Sequence, residues 1–205
     1  MPEQPSRYSV AWQAVRDDDA AHLEELFEQY PEVKVWSVPA YGTWLHCAAS
    51  DGSLKVFEYL LSCGTDLNVK NRDGITPLVC AASSNQLKIV RLMLKRGAEM
   101  GSQTAIANPL FACISGSAMD THPVHSSGNP PTDRLEIAKL LLDAGLDPAL
   151  EYDLHSNGRM DALKFAWLFG RRDIARLAAE RLADGDLSQV EAMLSAADRA
   201  LRSPT

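Results

Sequence analysis

Two apolar segments of the sequence carry the same order of hydrophobic and polar positions at an offset of 33 residues. Residues 45–49 coincide with 78–82, residues 54–56 with 87–89, and Gly64 with Gly97. In the second copy, small residues follow Leu78 at helical spacing, and residues 87–94 place apolar side chains on a second helix. A unit repeated at this period predicts an array of stacked helix pairs rather than one globular core.

The ends of the predicted helices in the second copy have their own local signals. Thr76 suits the N-cap position, where its hydroxyl accepts a backbone hydrogen bond, and Pro77 suits the first helical position, where no N–H is needed. Gly97 follows two cations and suits the left-handed residue just after a helix. Residues 71–74, Asn-Arg-Asp-Gly, predict a tight turn that projects between neighbouring units.

Weaker copies extend the pattern in both directions. Residues 17–33 read as a degenerate first copy, the pattern restarts at 108–116 and is completed at 134–150, and a last copy covers 160–182. Gly97 and Gly145 are 48 residues apart, which indicates an insertion of 15 residues in the third full copy. Residues 186–201 predict a closing helix with a capping box formed by Ser188 and Glu191 and an apolar face formed by Leu187, Val190, Leu194 and Leu201.

Helix, turn, helix and projecting finger at this period resemble the ankyrin repeat. The second copy carries the resemblance in Asp73-Gly74, Thr76-Pro77-Leu78, Ala81-Ala82 and Gly97-Ala98. The copy before it keeps Thr43, Leu45, His46, Ala48 and Ala49 but has Trp44 where the family has proline. The resemblance covers roughly residues 8–183 and implies that His46 is the family's structural histidine, which bonds the backbone of a neighbouring loop.

The resemblance implies an all-α ankyrin-repeat solenoid of helix-turn-helix units with short β-hairpin or loop fingers. We expect one domain over residues 1–205, divided into an N-terminal capping repeat at 8–36, repeats at 37–71 and 72–104, a repeat at 105–150 with an inserted loop at about 116–133, a degenerate repeat at 151–183 and a C-terminal capping helix at 184–205.

Composition and charge narrow the class of protein. With 46% hydrophobic and 23% charged residues, the chain is expected to fold as a soluble protein. No apolar run approaches the roughly 20 residues that span a bilayer, and residues 1–20 lack the pattern of a signal peptide, so we expect a cytoplasmic protein without membrane contact. The net charge of −7 argues against nucleic-acid binding and favours a protein partner. We expect a monomer with four free cysteines, Cys47, Cys63, Cys80 and Cys113.

No sequence motif indicates a catalytic, cofactor or metal site. The chain lacks the nucleophile-elbow, phosphate-loop, dinucleotide-binding and metalloprotease patterns. Asp120, His122, His125 and Asp133 are metal ligands in type, but the glycine, serine and proline around them are typical of a surface insertion. We therefore expect no catalytic residue, no cofactor and no metal, and we interpret the cations Lys88, Arg91, Lys95 and Arg96 as a solvated outer face.

In ankyrin repeats, the finger tips and the exposed edges of the first helices contact the partner. The matching positions are Arg72, Asp73 and Ile75 on the finger and Ser50, Asp51, Ser83 and Ser84 at the first-helix ends. Trp36, Tyr41 and Trp44 are either interface anchors or packing under the N-terminal cap, and the sequence leaves both open. The predicted function is non-enzymatic binding of a protein. The alternatives are an inhibitory antitoxin or immunity-type protein, a host-directed effector, and a small enzyme with a metal site in the insertion.

Overall fold

The computed structural model describes residues 6–38, 41–116, 132–154 and 158–202. In chain order its helices and strands are α1 (Arg7–Arg16), α2 (Ala20–Gln29), α3 (Pro31–Lys34), β1 (Ser37–Val38), β2 (Gly42–Thr43), α4 (Trp44–Asp51), α5 (Leu54–Ser62), α6 (Pro77–Ser83), α7 (Leu87–Lys95), a 3₁₀ helix (Ala105–Ala107), α8 (Pro109–Ser115), α9 (Thr132–Asp143), β3 (Tyr152–Asp153), β4 (Arg159–Met160), α10 (Ala162–Leu168), α11 (Arg172–Leu182) and α12 (Leu187–Arg202).

The helix pairs stack side by side and form a solenoid. The first helices α1, α4, α6, α8 and α10 pack in that order, and the second helices make an outer row in which α2 contacts α5, and α9 contacts both α7 and α11. Small residues such as Ala48, Ala49, Ala81 and Ala82 are fully buried and let the first helices approach closely. The predicted all-α solenoid is confirmed.

Short fingers project between the helix pairs. Strands β1 and β2 pair antiparallel with Ser37 opposite Thr43, and β3 and β4 pair with Tyr152 opposite Met160. The finger before α6 is a turn held by Asn71, whose side-chain oxygen accepts hydrogen bonds from the backbone N–H groups of Asp73 (3.0 Å) and Ile75 (2.9 Å). The finger before α8 contains the 3₁₀ helix in place of an Asp-Gly turn.

The local signals of the second copy are confirmed. The Thr76 hydroxyl accepts a hydrogen bond from the N–H of Val79 at 3.4 Å, and Pro77 occupies the first turn of α6. After α7, Gly97 has φ 78°. This left-handed conformation costs glycine nothing and would strain a residue with a Cβ atom.

The N-terminal aromatic residues form one packed cluster. Trp44 is 1% exposed, its indole N–H donates to the carbonyl of Val33 at 2.7 Å, and its ring stacks on Trp36 at a centroid distance of 4.3 Å. Trp12 from α1 meets Trp44 edge-on at 6.2 Å. Of the two interpretations of Trp44, packing under the N-terminal cap is the one that the structure supports, because a fully buried ring offers no surface to a partner.

The C-terminal helix starts differently from the sequence prediction. Asp186, not Ser188, caps α12: its carboxylate accepts from the backbone N–H groups of Ser188 (2.9 Å) and Gln189 (3.3 Å). Leu187 is 70% exposed, so it does not belong to the apolar face, which includes Val190, Leu194 and Ala197. The side chain of Leu201, also predicted for this face, lies outside the described residues. Glu191 instead forms an ion pair with Arg176 of α11. The predicted capping box at this helix was wrong, while its closing position against α10 and α11 is as expected.

Two glycines with the same backbone conformation allow a matched test of packing between repeats. Gly52 and Gly74 both have φ +77°, but a Cβ atom on Gly52 would lie 2.3 Å from the side-chain oxygen of Gln86, whereas Gly74 faces open space. Gln86 also donates its amide N–H to the carbonyl of Ser50 at 2.9 Å.

We therefore expect Gly52→Ala to destabilise the protein by about 1 kcal/mol more than Gly74→Ala, because only the first substitution also displaces Gln86. Urea denaturation of the two variants measures the difference in the free energy of unfolding. Equal losses in the two variants would show that Gln86 moves without cost and would contradict the prediction.

Two further predictions concern membrane-spanning helices and the position of the insertion. Across the described ranges, no helix combines the length and the apolar character that crossing a membrane requires. The insertion falls between α8 and α9, as the sequence predicts. Residues 117–131, which make up most of it, lie outside the described residues.

Candidate functional site

A groove of about 390 Å³ runs along the concave face of the stack, from α1 to α10. We call it the concave groove. Its floor is made by the first helices and one of its sides by the fingers. The floor residues are Trp12, His46, Cys47, Ser50, Asp51, Val79, Cys80, Ser83, Ser84, Phe111, Ala112, Ser115, Gly116 and Phe165, and the finger residues are Tyr41, Asn71, Ile75, Ala105, Ile106 and Leu154.

The floor repeats the same four positions of successive first helices. In α4 these positions are His46, Cys47, Ser50 and Asp51, which share one helical face because they are separated by about one turn. In α6 and the residue after it, the equivalent positions are Val79, Cys80, Ser83 and Ser84. In α8 and the residue after it, they are Phe111, Ala112, Ser115 and Gly116. The repeat register therefore creates a continuous surface from positions that are far apart in sequence.

The two long sides of the groove differ in polarity. The finger side presents apolar groups, among them Tyr41, which is 50% exposed, and Ile106, which is 61% exposed. Away from the fingers, the floor ends at the C-terminal ends of the first helices, which carry hydroxyl groups and a carboxylate. Ser50 and Ser84 are joined there by a hydrogen bond of 2.9 Å between their Oγ atoms. We call this side the polar edge, formed by Ser50, Asp51, Ser83, Ser84 and Ser115.

Aromatic rings close both ends of the groove. At the N-terminal end, the rings of Trp12 and Tyr41 are nearly perpendicular, with centroids 6.4 Å apart. At the C-terminal end, Phe111 stacks on Phe165 at 4.5 Å and meets Tyr152 edge-on at 5.0 Å. Such rings bury a large area with few rotatable bonds, which makes them effective binding surfaces.

His46 connects the floor to the next finger. Its Nε2–H donates to the carbonyl of Ile75 at 3.0 Å, because a carbonyl oxygen only accepts. Its Nδ1 accepts from the backbone N–H of Thr43 at 3.1 Å, so this nitrogen carries no proton and also accepts from the Thr43 hydroxyl at 3.1 Å. Burial lowers the pKa of His46, and the hydrogen bond to Ile75 opposes this only in part. The ring is neutral at pH 7 and has both nitrogen atoms engaged in holding the fold.

Comparison with known proteins identifies part of the chain. Residues 12–104 match the family model described as ankyrin repeats (3 copies). These residues are ankyrin repeats. The matched range begins within α1 and ends between α7 and the 3₁₀ helix, and the stack of helix pairs continues beyond it through α8 and α9 and through α10 and α11. No curated protein matches the chain. Ankyrin repeats generally mediate protein–protein interactions, and the family is typically non-enzymatic.

Within this ankyrin stack, the groove brings together most but not all of the residues predicted to contact a partner. It contains Tyr41, Ser50, Asp51, Ile75, Ser83 and Ser84. Arg72 and Asp73 lie at the exposed tip of their finger, outside the groove. Trp36 and Trp44 pack behind the groove in the N-terminal cluster, and Trp44 is removed from the partner-contacting set because it is buried.

Several residues of the groove are not among those predicted from the sequence. Phe111 and Ser115 occupy the positions of His46 and Ser50 in a later repeat of the chain, so the repeat register alone would have found them. Ile106 had no such signal, because its exposure depends on the 3₁₀ helix that replaces the regular finger. Trp12 reaches the groove from the N-terminal capping repeat, where the ankyrin pattern is weakest.

The thiols of the groove are poor nucleophiles. Burial, then the nearby Asp51 and Cys80, raises the pKa of the Cys47 thiol far above its usual value. Burial raises the pKa of Cys80 to about 12. Both cysteines are free, as are Cys63 and Cys113. Because the thiolate is the reactive form, these side chains act as small apolar surface at neutral pH.

The insertion contains side chains of the kinds that bind metal ions, and the structure does not describe them. Asp120, His122 and His125 lie outside the described residues, as does the side chain of Asp133. Within the ranges that the structure covers, no three histidine, cysteine, aspartate or glutamate side chains come close enough to hold a metal ion. Two of the cations predicted for the outer face make ion pairs with neighbouring repeats: Arg91 pairs with Glu136, and Arg96 with Glu58 at 3.7 Å.

Proposed function

We propose that the protein binds a partner protein in the concave groove and has no catalytic activity of its own. The observation that carries the proposal is the groove itself, which joins an apolar finger side to a polar edge across successive ankyrin repeats. Large apolar side chains exposed beside polar groups are typical of protein-binding surfaces. The proposal includes a monomeric protein that works in the cytoplasm.

The state of the groove's ionisable groups supports a binding role over a catalytic one. Both ring nitrogens of His46 are used within the fold, so this histidine is not placed to transfer a proton to a substrate. The raised pKa of the Cys47 and Cys80 thiols keeps them protonated, which removes the ordinary cysteine nucleophile. What the groove offers a ligand is shape, apolar area and hydrogen-bonding groups.

The test compares affinity capture from native lysate by the wild-type protein and by a variant carrying Tyr41→Ser and Ile106→Ser. These side chains are at least half exposed, so their loss should barely change stability. We expect the variant to lose the captured partner, with an affinity reduced at least about tenfold, because exposed aromatic and apolar anchors carry much of the binding energy.

The matched control is Val35→Ser, which removes a side chain that is 80% exposed but lies outside the groove. A partner retained by this control and lost by the groove variant supports the proposal. A partner retained by all three proteins contradicts it. If the partner is a single stoichiometric enzyme that loses activity in the complex, the inhibitory alternative applies; several partners without loss of activity favour an adaptor.

A further inference from the structure

The last helix pair of the stack differs from the earlier ones at the C-terminal end of its first helix. The seventh and eighth residues after the N-cap belong to the polar edge in the repeats of α4 and α6, where they are Ser50, Asp51, Ser83 and Ser84. In the repeat of α10 these two positions hold Leu168 and Phe169, which are 39% and 46% exposed. Two large apolar side chains therefore lie at the surface where the earlier repeats have polar ones.

A tight turn carries these apolar side chains together with two arginines. We call residues 168–172 the α10–α11 turn. The N–H of Gly170 donates to the carbonyl of Trp167 at 3.1 Å, and the N–H of Arg171 donates to the carbonyl of Ala166 at 2.8 Å. Gly170 has φ 69°, the left-handed conformation in which glycine commonly ends a helix. One short segment with a fixed backbone thus presents Leu168, Phe169, Arg171 and Arg172.

Neither arginine of this turn forms an ion pair with a carboxylate in the part of the chain that the structure describes. Arg171 donates to the carbonyl of Ile114 at 3.4 Å. Arg172 is exposed, donates to the carbonyl of Trp167 at 2.9 Å, and lies over the Trp167 ring at 3.7 Å from the centroid. A guanidinium has five N–H donors and stays charged in proteins. These contacts with neutral groups therefore leave charge and donors for a further acceptor.

Two acidic residues close to the turn make other contacts. Asp173 accepts a hydrogen bond from the N–H of Ile174 at 2.9 Å, and Asp198 of α12 accepts one from the indole N–H of Trp167 at 3.4 Å. The α10–α11 turn therefore presents positive charge beside apolar side chains, in a chain whose net charge is −7.

Aromatic contacts join the α10–α11 turn to the concave groove. The ring of Phe169 contacts that of Phe165 at a centroid distance of 4.7 Å. Phe165 lines the groove and stacks on Phe111 at 4.5 Å. A partner segment that leaves the groove over Phe165 therefore reaches Phe169 next.

We infer that the α10–α11 turn is a second contact site for a partner protein. It binds a segment that places a large apolar side chain against Leu168 and Phe169 and an aspartate or glutamate against the two arginines. This inference extends the proposed function beyond the groove. Aromatic residues and arginine are enriched among the residues that carry most of the energy of protein interfaces. The guanidinium group also matches a carboxylate in charge and in hydrogen-bond geometry.

The overall charge of the chain favours a protein over other anionic partners. A net charge of −7 repels nucleic acids and anionic membranes at long range, and two arginines are fewer than the clusters of four to eight cations that typically recognise anionic lipids. One or two carboxylates within an apolar segment match the local charge of the turn.

The probe is a displayed library of random dodecapeptides, selected on the variant carrying Tyr41→Ser and Ile106→Ser so that binding in the groove is weakened. The selected peptides are then synthesised with a fluorescent label. We expect them to carry aspartate or glutamate close to an aromatic or large aliphatic residue. Replacing that acidic residue by its amide should weaken binding to the wild type about tenfold, because it removes a charge-assisted contact.

A charge variant shows whether the acidic residue of the peptide meets the two arginines. Arg171→Gln combined with Arg172→Gln removes both charges and keeps N–H donors for the neighbouring carbonyl groups. On this variant, replacing the peptide's acidic residue by its amide should have little further effect, which is the signature of direct coupling. The matched control, Arg16→Gln with Lys34→Gln, removes two positive charges from exposed positions of α1 and α3 and should bind the peptides like the wild type.

An apolar variant tests the other half of the site. Phe169→Ser should weaken the peptides about tenfold, because an aromatic anchor is lost. The matched control is Leu150→Ser, which removes a side chain with the same exposed fraction of 46% from the segment before β3. Thermal unfolding followed by circular dichroism checks that each variant is folded, and the change made in the peptide is measured on the wild type, where no variant has to fold.

The outcomes distinguish failure of this inference from failure of the proposed function. Peptides that bind the charge and apolar variants as tightly as the wild type, or a selection that returns no peptide, contradict the inference and leave the groove to its own capture test. Binding to vesicles containing phosphatidylserine, without peptide binding, would assign the turn to a membrane and overturn the inference. Self-association of the wild type that is lost in Phe169→Ser would assign the turn to a second copy of the chain and also overturn it.

Discussion

Replacing Trp44 by proline, the residue that ankyrin repeats resembling this one carry at that position, is expected to destabilise the protein by about 3–5 kcal/mol. The backbone is not the reason. Trp44 is the first residue of α4, and Pro77 occupies the equivalent place in α6 of the same chain. The loss comes from the side chain, which is fully buried against Trp12 and Trp36 and donates a hydrogen bond to Val33. A substitution towards the family pattern should therefore act as a large-to-small core substitution.

The measurement is urea denaturation followed by far-ultraviolet circular dichroism, with Trp44→Phe as the matched control. Phenylalanine keeps an aromatic ring in the site but gives up the indole N–H, so it should cost clearly less than proline. A Trp44→Pro variant as stable as the wild type would contradict the packing described for the N-terminal cluster.

The same substitution should act mainly on the N-terminal unit. Trp44 links α4 to the carbonyl of Val33 in α3 and, through Trp12, to α1. In repeat arrays each unit is stabilised by its neighbours, so breaking one interface can release a terminal unit while the rest stays folded. Hydrogen exchange should therefore show loss of protection in α1 to α3 before α6 and α7 are affected.

Repeated local signals made the fold predictable from the sequence. The offset of 33 residues, the Thr76-Pro77 helix start and Gly97 each report a local backbone requirement, and the array repeats those requirements. The C-terminal helix shows the limit of such signals. Ser188 and Glu191 have the spacing of a capping box, but Asp184 adopts φ 49° and Gly185 φ 81°, and this turn places Asp186 at the helix start. The capping residue was decided by the conformation of the preceding turn.

The site was predictable only where it follows the repeat register. Ser50, Asp51, Ser83 and Ser84 were predicted because the resemblance to ankyrin repeats maps the family's first-helix edge onto these positions, and all four line the groove. The burial of Trp44 was not predictable in the same way, because the sequence alone does not show that Trp12, from another helix, packs against it. Long-range packing of side chains at the ends of the array is the information that a single sequence leaves out.

His46→Ala is the second substitution from which we expect a large effect, a loss of about 2–4 kcal/mol at pH 7.5. The imidazole makes hydrogen bonds to both Thr43 and Ile75, so its removal leaves partly buried backbone groups of two successive fingers without their partner. It also removes the ring against which Gly42 packs; a Cβ atom on Gly42 would lie 2.5 Å from His46 Nδ1. Urea denaturation of the variant gives the loss, and His22→Ala, on the exposed surface of α2, is the matched control.

The loss caused by His46→Ala should shrink as the pH falls. Burial holds the pKa of His46 in the folded protein below the ordinary value of about 6.5, so between these two values the unfolded chain binds more protons than the folded one. The contribution of His46 to the free energy of unfolding is fully present above pH 6.5. It decreases by up to about 1.4 kcal/mol per pH unit as the pH falls towards the pKa of His46 in the folded protein. His46→Ala has no such dependence, so the free energies of unfolding of wild type and variant should converge between pH 7.5 and pH 5. A constant difference over that range would mean that His46 is not held neutral by the contacts described.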